Sequence, residues 1–353
     1  MLPPVRLLWY TNSPLRGCVW REAGVRLQHA KRLSRQGEKA QSYALAAGLG
    51  CLMKKILVLV LFGISTMAWA GPNAPVRPKI TGIDHVAFYT TAPAGVTHLY
   101  RGIFALPTAA LIEPGESLRF LVGKQWVGYA PAPNPQSLDR MDHLAFATGD
   151  IVALQRYLQS KGVAASASIE KRSDGSRSLR VKDPEGHVIE FVQPVSASVK
   201  PDARAVSRRL IHAGFVVRNR GAEDAFYRDI LGFRVYWFGG MKPGTVDWCA
   251  MQVPDGTDWL EYMLNVEANP DRRALGEMNH ISLGVVNMKQ TAAALESHGW
   301  TGKDRDKPEV GRDGKWQLDL YDPDFTRVEL MEFLPVKKPC CSEFQGPQPG
   351  PDR

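Results

Sequence analysis

Four residues of this chain could do chemistry together: His212, Glu261, His280 and Glu329. Each His precedes its Glu by 49 residues (261 − 212 and 329 − 280), so a unit with an imidazole near one end and a carboxylate near the other occurs twice. Imidazole and carboxylate ligands suit Zn, Ni, Mn or Fe(II). Both carboxylates stand among apolar neighbours, in Trp259-Leu260-Glu261-Tyr262-Met263 and Arg327-Val328-Glu329-Leu330-Met331. A buried unpaired carboxylate is strongly disfavoured, and a divalent metal shared with two imidazoles would account for both.

The elements that must position these residues are legible as short runs. Leu210 to Val217 and Asn279 to Val286 are β-branched or apolar and predict strands. Side chains alternate faces along a strand. Ala213, Phe215 and Val217 therefore share the face to be packed, and His212, Gly214 and Val216 the opposite one, kept open by the glycine. Helical segments follow at Gly221 to Leu231 and Met288 to His298, each stopped by a glycine, Gly232 or Gly299. The same signature opens two earlier units, His85-Val86-Ala87-Phe88 and His143-Leu144-Ala145-Phe146, with helices expected at Val96 to Phe104 and Ile151 to Lys161. The second of these closes on Asp183-Pro184-Glu185-Gly186-His187 and a strand bearing Glu190, 47 residues after His143. The segment that should close the first, Gln125 to Tyr129, offers no carboxylate. His85, His143 and Glu190 remain as a possible second metal set of two imidazoles and one carboxylate.

At these residues the sequence resembles the vicinal oxygen chelate superfamily, which contains glyoxalases, extradiol dioxygenases and bleomycin-resistance proteins. The resemblance spans roughly residues 80 to 333. It implies an α+β fold of four βαβββ modules, paired into two tandem domains whose curved mixed sheets surround a cavity. It also implies that ligands come from the first and last strands of a module, here His212, Glu261, His280 and Glu329. Resemblance to glyoxalases makes Glu261 and Glu329 candidate general bases of a metal-dependent lyase or isomerase acting on a small molecule. Resemblance to extradiol dioxygenases implies instead a triad of His212, His280 and Glu329 holding Fe(II). Dioxygenases of that type carry a further His and a Tyr shortly before the closing Asp-Pro turn, whereas no His follows His298 here and Asp319 stands at the Tyr position. Bleomycin-resistance proteins supply a third, non-catalytic reading as a small-molecule binder. The last module departs from the family at Asp322-Pro323-Asp324-Phe325, with Phe where the family usually has Gly. The first half, one ligand short, reads as a degenerate or structural partner.

The flanks bear on location and partners. Residues 1–52 are basic, lack apolar periodicity and are expected to be a disordered leader or to lie upstream of a true start at Met53. Met53-Lys54-Lys55, the run Ile56 to Phe62, and Ala68-Trp69-Ala70 then have the layout of a secretory signal peptide at 53–70. The mature chain is expected to start at Gly71 and to be periplasmic or extracellular, without a stable membrane anchor. The chain carries 44 basic and 36 acidic residues, net +8, and residues 1–55 hold ten basic against two acidic. The remainder is neutral, which argues against a nucleic-acid partner. Domains are expected at 80–195 and 208–335, joined by a linker at 196–207. Of five cysteines, only Cys249, Cys340 and Cys341 follow the signal segment and make no disulfide framework. The Pro- and Gly-rich end, 336–353, is expected to be disordered. Tyr236, Trp237, Phe238, Trp248 and Trp259 are candidate cavity lining, and Arg218 and Arg220 candidate contacts for an anionic substrate.

Overall fold

The computed structural model describes residues 75–166, 168–195, 202–302 and 307–351. The leader and signal segments expected at 1–52 and 53–70 lie outside these residues, as does the first half of the linker expected at 196–207.

Each half is one curled mixed sheet. In the first, β1 (Ile80–Thr90) leads into α1 (Pro93–Thr97) and a π-helical turn (His98–Ile103), then β2 (Leu118–Val122) and β3 (Gln125–Pro131). A second unit follows as β4 (Met141–Thr148), α2 (Ile151–Ser160), β5 (Glu170–Lys171), β6 (Arg177–Lys182) and β7 (Val188–Gln193). The second half repeats this with β8 (Leu210–Val216), α3 (Arg220–Asp224) with its π turn (Ala225–Ile230), β9 (Arg234–Gly239), β10 (Trp248–Gln252) and β11 (Trp259–Met263). After α4 (Arg272–Met278) come β12 (His280–Val285), α5 (Met288–Ser297), β13 (Glu309–Val310), β14 (Trp316–Tyr321) and β15 (Arg327–Glu332).

The strand orders are β2-β3-β1-β4-β7-β6-β5 and β13-β14-β15-β12-β8-β11-β10-β9. In both sheets the first strands of two modules lie antiparallel at the centre, and each is flanked by the last strand of its own module in parallel. This is the paired-module architecture expected from the sequence. The first module has one strand fewer among the described residues, with an isolated bridge between Thr108 and Phe120 before β2.

Local signals act as expected. Asp150 caps α2 by accepting from the backbone N–H of Val152 and Ala153, and Asn287 caps α5 through Gln290. Gly162, Gly232 and Gly299 end their helices at φ of 75°, 80° and 97°. Ala213, Phe215 and Val217 enter the main core, as the face alternation requires. No helix among the described residues is long and apolar enough to cross a membrane.

The halves grip each other reciprocally through their Asp-Pro turns. Asp183 Oδ1 accepts the backbone N–H of Glu185 and His187, and Asp322 Oδ1 those of Asp324 and Thr326. The first turn reaches the second half, where the Tyr227 hydroxyl donates to Asp183 Oδ2 at 3.2 Å. The second reaches the first half, where the Tyr129 hydroxyl donates to Asp322 Oδ2 at 3.1 Å and Pro323 packs on Gly95. Phe325 takes the left-handed conformation (φ 71°) that Gly186 takes in the other turn (φ 94°), so the turn survives the substitution.

The expectation of a disordered end is overturned. Ser342 Oγ donates to the Phe238 carbonyl (3.0 Å) and accepts from its N–H (2.9 Å), Gln345 N–H donates to the Tyr236 carbonyl (2.8 Å), and the Gly350 carbonyl accepts from Arg209 (2.8 Å). Cys340 and Cys341 are joined to each other as a disulfide. Pro- and Gly-rich composition predicted disorder, but β9 is an edge strand, and the segment satisfies backbone groups that an edge leaves unpaired.

Candidate metal centre

The centre of the second half follows from strand register. Order β15-β12-β8-β11 sets Ser282 opposite both His212 and Glu329, and Gly214 opposite both His280 and Glu261. Four side chains therefore converge from four adjacent strands. The two Nε2 atoms are 3.1 Å apart, Glu329 Oε2 is 3.1 Å from His212 Nε2, and Glu261 Oε2 is 3.3 Å from His280 Nε2 and 3.8 Å from His212 Nε2. Gly214 is required for this, because a Cβ there would overlap the His280 ring. The sequence's small residue on the His face thus has a direct steric role.

The donors are in the form a cation needs. His280 Nδ1–H donates to the Met278 carbonyl at 2.8 Å, which turns the Nε2 lone pair inward. Burial, and then the Arg327 charge, lowers its pKa, so the ring is neutral. The His212 ring stacks on Trp259 at 4.7 Å between centroids. Burial would raise both carboxylates, but the imidazoles facing them hold Glu261 below its ordinary value and, through His212, bring Glu329 to about 2. Among the described residues, no Lys or Arg comes within ion-pair distance of either one; Arg327 pairs with Asp319 at 3.5 Å. Ligand atoms of His212, His280 and Glu329 lie within 4.8 Å of one another. Two inward imidazoles and two ionised carboxylates without a partner cation fit a divalent metal.

The first half builds a similar centre and fills it differently. His85 and His143 meet at 3.0 Å, with Glu190 Oε2 3.3 and 3.1 Å from their Nε2 atoms. Register puts Gly128 opposite Ala87, where the second half has Glu261 opposite Gly214. The missing carboxylate comes instead from Glu113, in the loop before β2, 3.2 Å from His85 and 3.4 Å from His143. Into this set runs Arg172, whose Nη2 pairs with Glu113 and lies 2.7 Å from Glu190 Oε2; Arg180 flanks both at 3.3 and 3.5 Å. Asp84 and Asp142 accept from the two Nδ1 atoms. Burial would lower His143, yet the Asp142 hydrogen bond together with Glu113 and Glu190 pushes it up to about 10. Ligand atoms of His85, Glu113, His143 and Glu190 also lie within 4.8 Å of one another, but here the chain's own guanidinium groups already balance the carboxylates.

Over the second centre lies a cavity of about 420 Å³. Tyr236, Trp237, Trp248 and Trp259 line it as expected, joined by Phe344 from the C-terminal segment; Phe238 is not among the lining residues. Lys315 is fully buried behind this wall, its ammonium 5.1, 5.2 and 5.5 Å from the ring centroids of Trp259, Phe344 and Tyr236. Burial lowers its pKa to about 8. Asp319 faces the cavity with burial raising it to about 6. Arg218 and Arg220 do not line the cavity: Arg218 bonds to the carbonyls of Val266 and Glu267, and Arg220 pairs with Asp224.

Residues 211–318 and, separately, residues 82–191 match family profiles described as the glyoxalase/bleomycin resistance protein/dioxygenase superfamily. The chain belongs to that superfamily. No curated protein matches it. Among solved structures, the chain is similar to native homoprotocatechuate 2,3-dioxygenase from Arthrobacter globiformis, with 18% identity, TM-score 0.55, 74% of this chain and 82% of that one covered. The Brevibacterium fuscum enzyme in its anaerobic complex with 3,4-dihydroxyphenylacetate gives 19% identity, TM-score 0.55 and the same coverage. A room-temperature structure of an extradiol ring-cleaving dioxygenase from B. fuscum gives 19% identity, TM-score 0.55, 74% and 73%. At such identities these likenesses establish the fold.

Within this superfamily frame, the structure brings His212, Glu261, His280 and Glu329 together, and likewise His85, His143 and Glu190. The sequence reading missed Glu113, Arg172 and Arg180. Glu113 lies in an irregular loop, Leu111 to Gly115, so no strand period could point to it. Lys315 and Phe344 were missed because their partners are distant in the chain.

Proposed function

We propose that the second half is a metal-dependent lyase or isomerase site acting on a small substrate with two neighbouring oxygens. The observation that carries this is the pair of buried, ionised carboxylates facing two imidazoles with no cation of the chain's own in contact. His212, His280, Glu329 and Glu261 would hold the ion, which supplies Lewis acidity to polarise the substrate oxygens and stabilise charge developing on them. Glu261 is the least tightly engaged of the four and is ionised, so its carboxylate can take a proton from the substrate and return it elsewhere. The aromatic wall excludes water and orients a flat or apolar substrate, and Arg327 holds positive charge at the cavity floor.

A second reading, oxygen-dependent ring cleavage on Fe(II), is supported by one feature: His212, His280 and Glu329 alone make a two-His, one-carboxylate set. Against it, Asp319 stands where enzymes of that type carry a Tyr. Elemental analysis of the purified chain, followed by assays of α-hydroxy carbonyl isomerisation and of catechol-dependent oxygen uptake, separates the two. Glu261→Gln should keep the metal and abolish isomerisation; oxygen uptake that survives this substitution would select ring cleavage, and a chain without metal would end both. We infer export as well, and N-terminal sequencing of the secreted chain should give Gly71.

A further inference from the structure

The two Asp-Pro turns dock alike, which exposes a place where the halves differ. Val96 and Glu223 each stand four residues before the equivalent tyrosines Tyr100 and Tyr227, and Thr326 and His187 each four residues after the turn aspartates. Val96 and Glu223 are both fully buried. Valine is an ordinary residue for that place. The carboxyl of Glu223 is not: Oε1 accepts the Glu185 N–H at 3.0 Å, while the buried Oε2 meets no N–H or hydroxyl donor and has only the Asp183 carboxylate beside it. Beside it, His187 Nδ1 is 2.7 Å from Asp183 Oδ2. Single ligand atoms of Asp183, His187 and Glu223 lie within 4.8 Å of one another.

Two carboxyl groups buried side by side are costly when both are ionised, and burial with the Asp183 charge raises Glu223 to about 8, so that it holds a proton toward Asp183. The cost is unnecessary for folding, since the other turn docks with Val96 and Thr326 in the same two places. What the exchange adds is a ligand set of two carboxylates and an imidazole. There is also a way in: His187 lines a cavity of about 350 Å³ with Glu185, Gly186 and Phe215, from which water can complete the coordination.

We propose that Asp183, His187 and Glu223 form a zinc-type divalent cation site at the seam between the halves, separate from the centre under the aromatic wall. Binding there displaces the proton held by Glu223 and replaces the His187–Asp183 hydrogen bond with bonds to the ion. Its role is to lock the first Asp-Pro turn onto α3.

The test uses the full chain carrying His212→Ala and Glu329→Gln, so that zinc at the other centre does not contribute. Zinc chloride is titrated into this chain and into versions adding Glu223→Val or His187→Thr, which copy the other turn, with magnesium chloride as control. Each added substitution should remove one equivalent of bound zinc and abolish the zinc-dependent rise in Tm. Equal zinc content and an equal Tm response with and without Glu223→Val would overturn the proposal; should that variant not fold, His187→Thr decides on the same readouts.

Discussion

His143 and His280 occupy matching strand positions, yet their surroundings push the rings in opposite directions, raising the pKa of His143 and lowering that of His280. In the first half, aspartates behind each His and two glutamates in front raise the rings, and Arg172 and Arg180 complete a network of alternating charges. In the second, a backbone carbonyl backs His280, no guanidinium touches the carboxylates, and the unbalanced charge faces a cavity. One arrangement is closed by its own side chains; the other is left to be closed by something that binds. The lesson is that a ligand set identifies a metal site only when the charge around it is counted too.

The sharpest way to break this comparison is to exchange the losses. His212→Ala with Glu329→Gln should remove the equivalent of metal held at that centre and lower turnover by about 100-fold or more, given that even outer contacts of metal ligands cost 10–100-fold. His85→Ala should leave metal content and turnover in place, read by elemental analysis and steady-state assay. Next in size, Arg172→Met strips the first centre of its more buried guanidinium and leaves Arg180. Breaking a buried pair from one side costs about 3–5 kcal/mol, measured by denaturant unfolding, and added Mn or Zn should restore part of it.

The pH response sharpens the same contrast. With the folded pKa of His143 at about 10 and its ordinary value 6.5, the folded chain holds a proton there that the unfolded chain releases. Its contribution is complete below pH 6.5 and is lost as pH rises towards 10. The stability of the metal-free chain should fall across that window, and His143→Gln should flatten the fall. The smallest effect concerns the two turns: Phe325→Gly removes a bulky side chain from the left-handed region and should raise stability by about 1 kcal/mol, seen in Tm.

Much of this was legible from local pattern. Ala213, Phe215 and Val217 declared their buried face by alternation, and the 49-residue spacing singled out His212, Glu261, His280 and Glu329 on strands that register then brought together. Phe325 could not be judged, because whether a non-glycine residue bears a positive φ depends on what holds the turn. Glu113 and Arg172 were invisible because loop residues obey no period and reach the centre by tertiary routes. The C-terminal segment misled for a related reason: its composition describes a chain in solution, whereas its conformation is set by Phe238, Tyr236 and Arg209.

The reciprocal grip of the Asp-Pro turns has a consequence for how this chain could be divided. Each half lends the other the same element and receives it in return, which is the geometry of a two-fold symmetric dimer whose subunits have been fused. The covalent link is therefore secondary to the contact. Cut between 195 and 202, the two pieces should remain one particle, and made as separate polypeptides they should find each other.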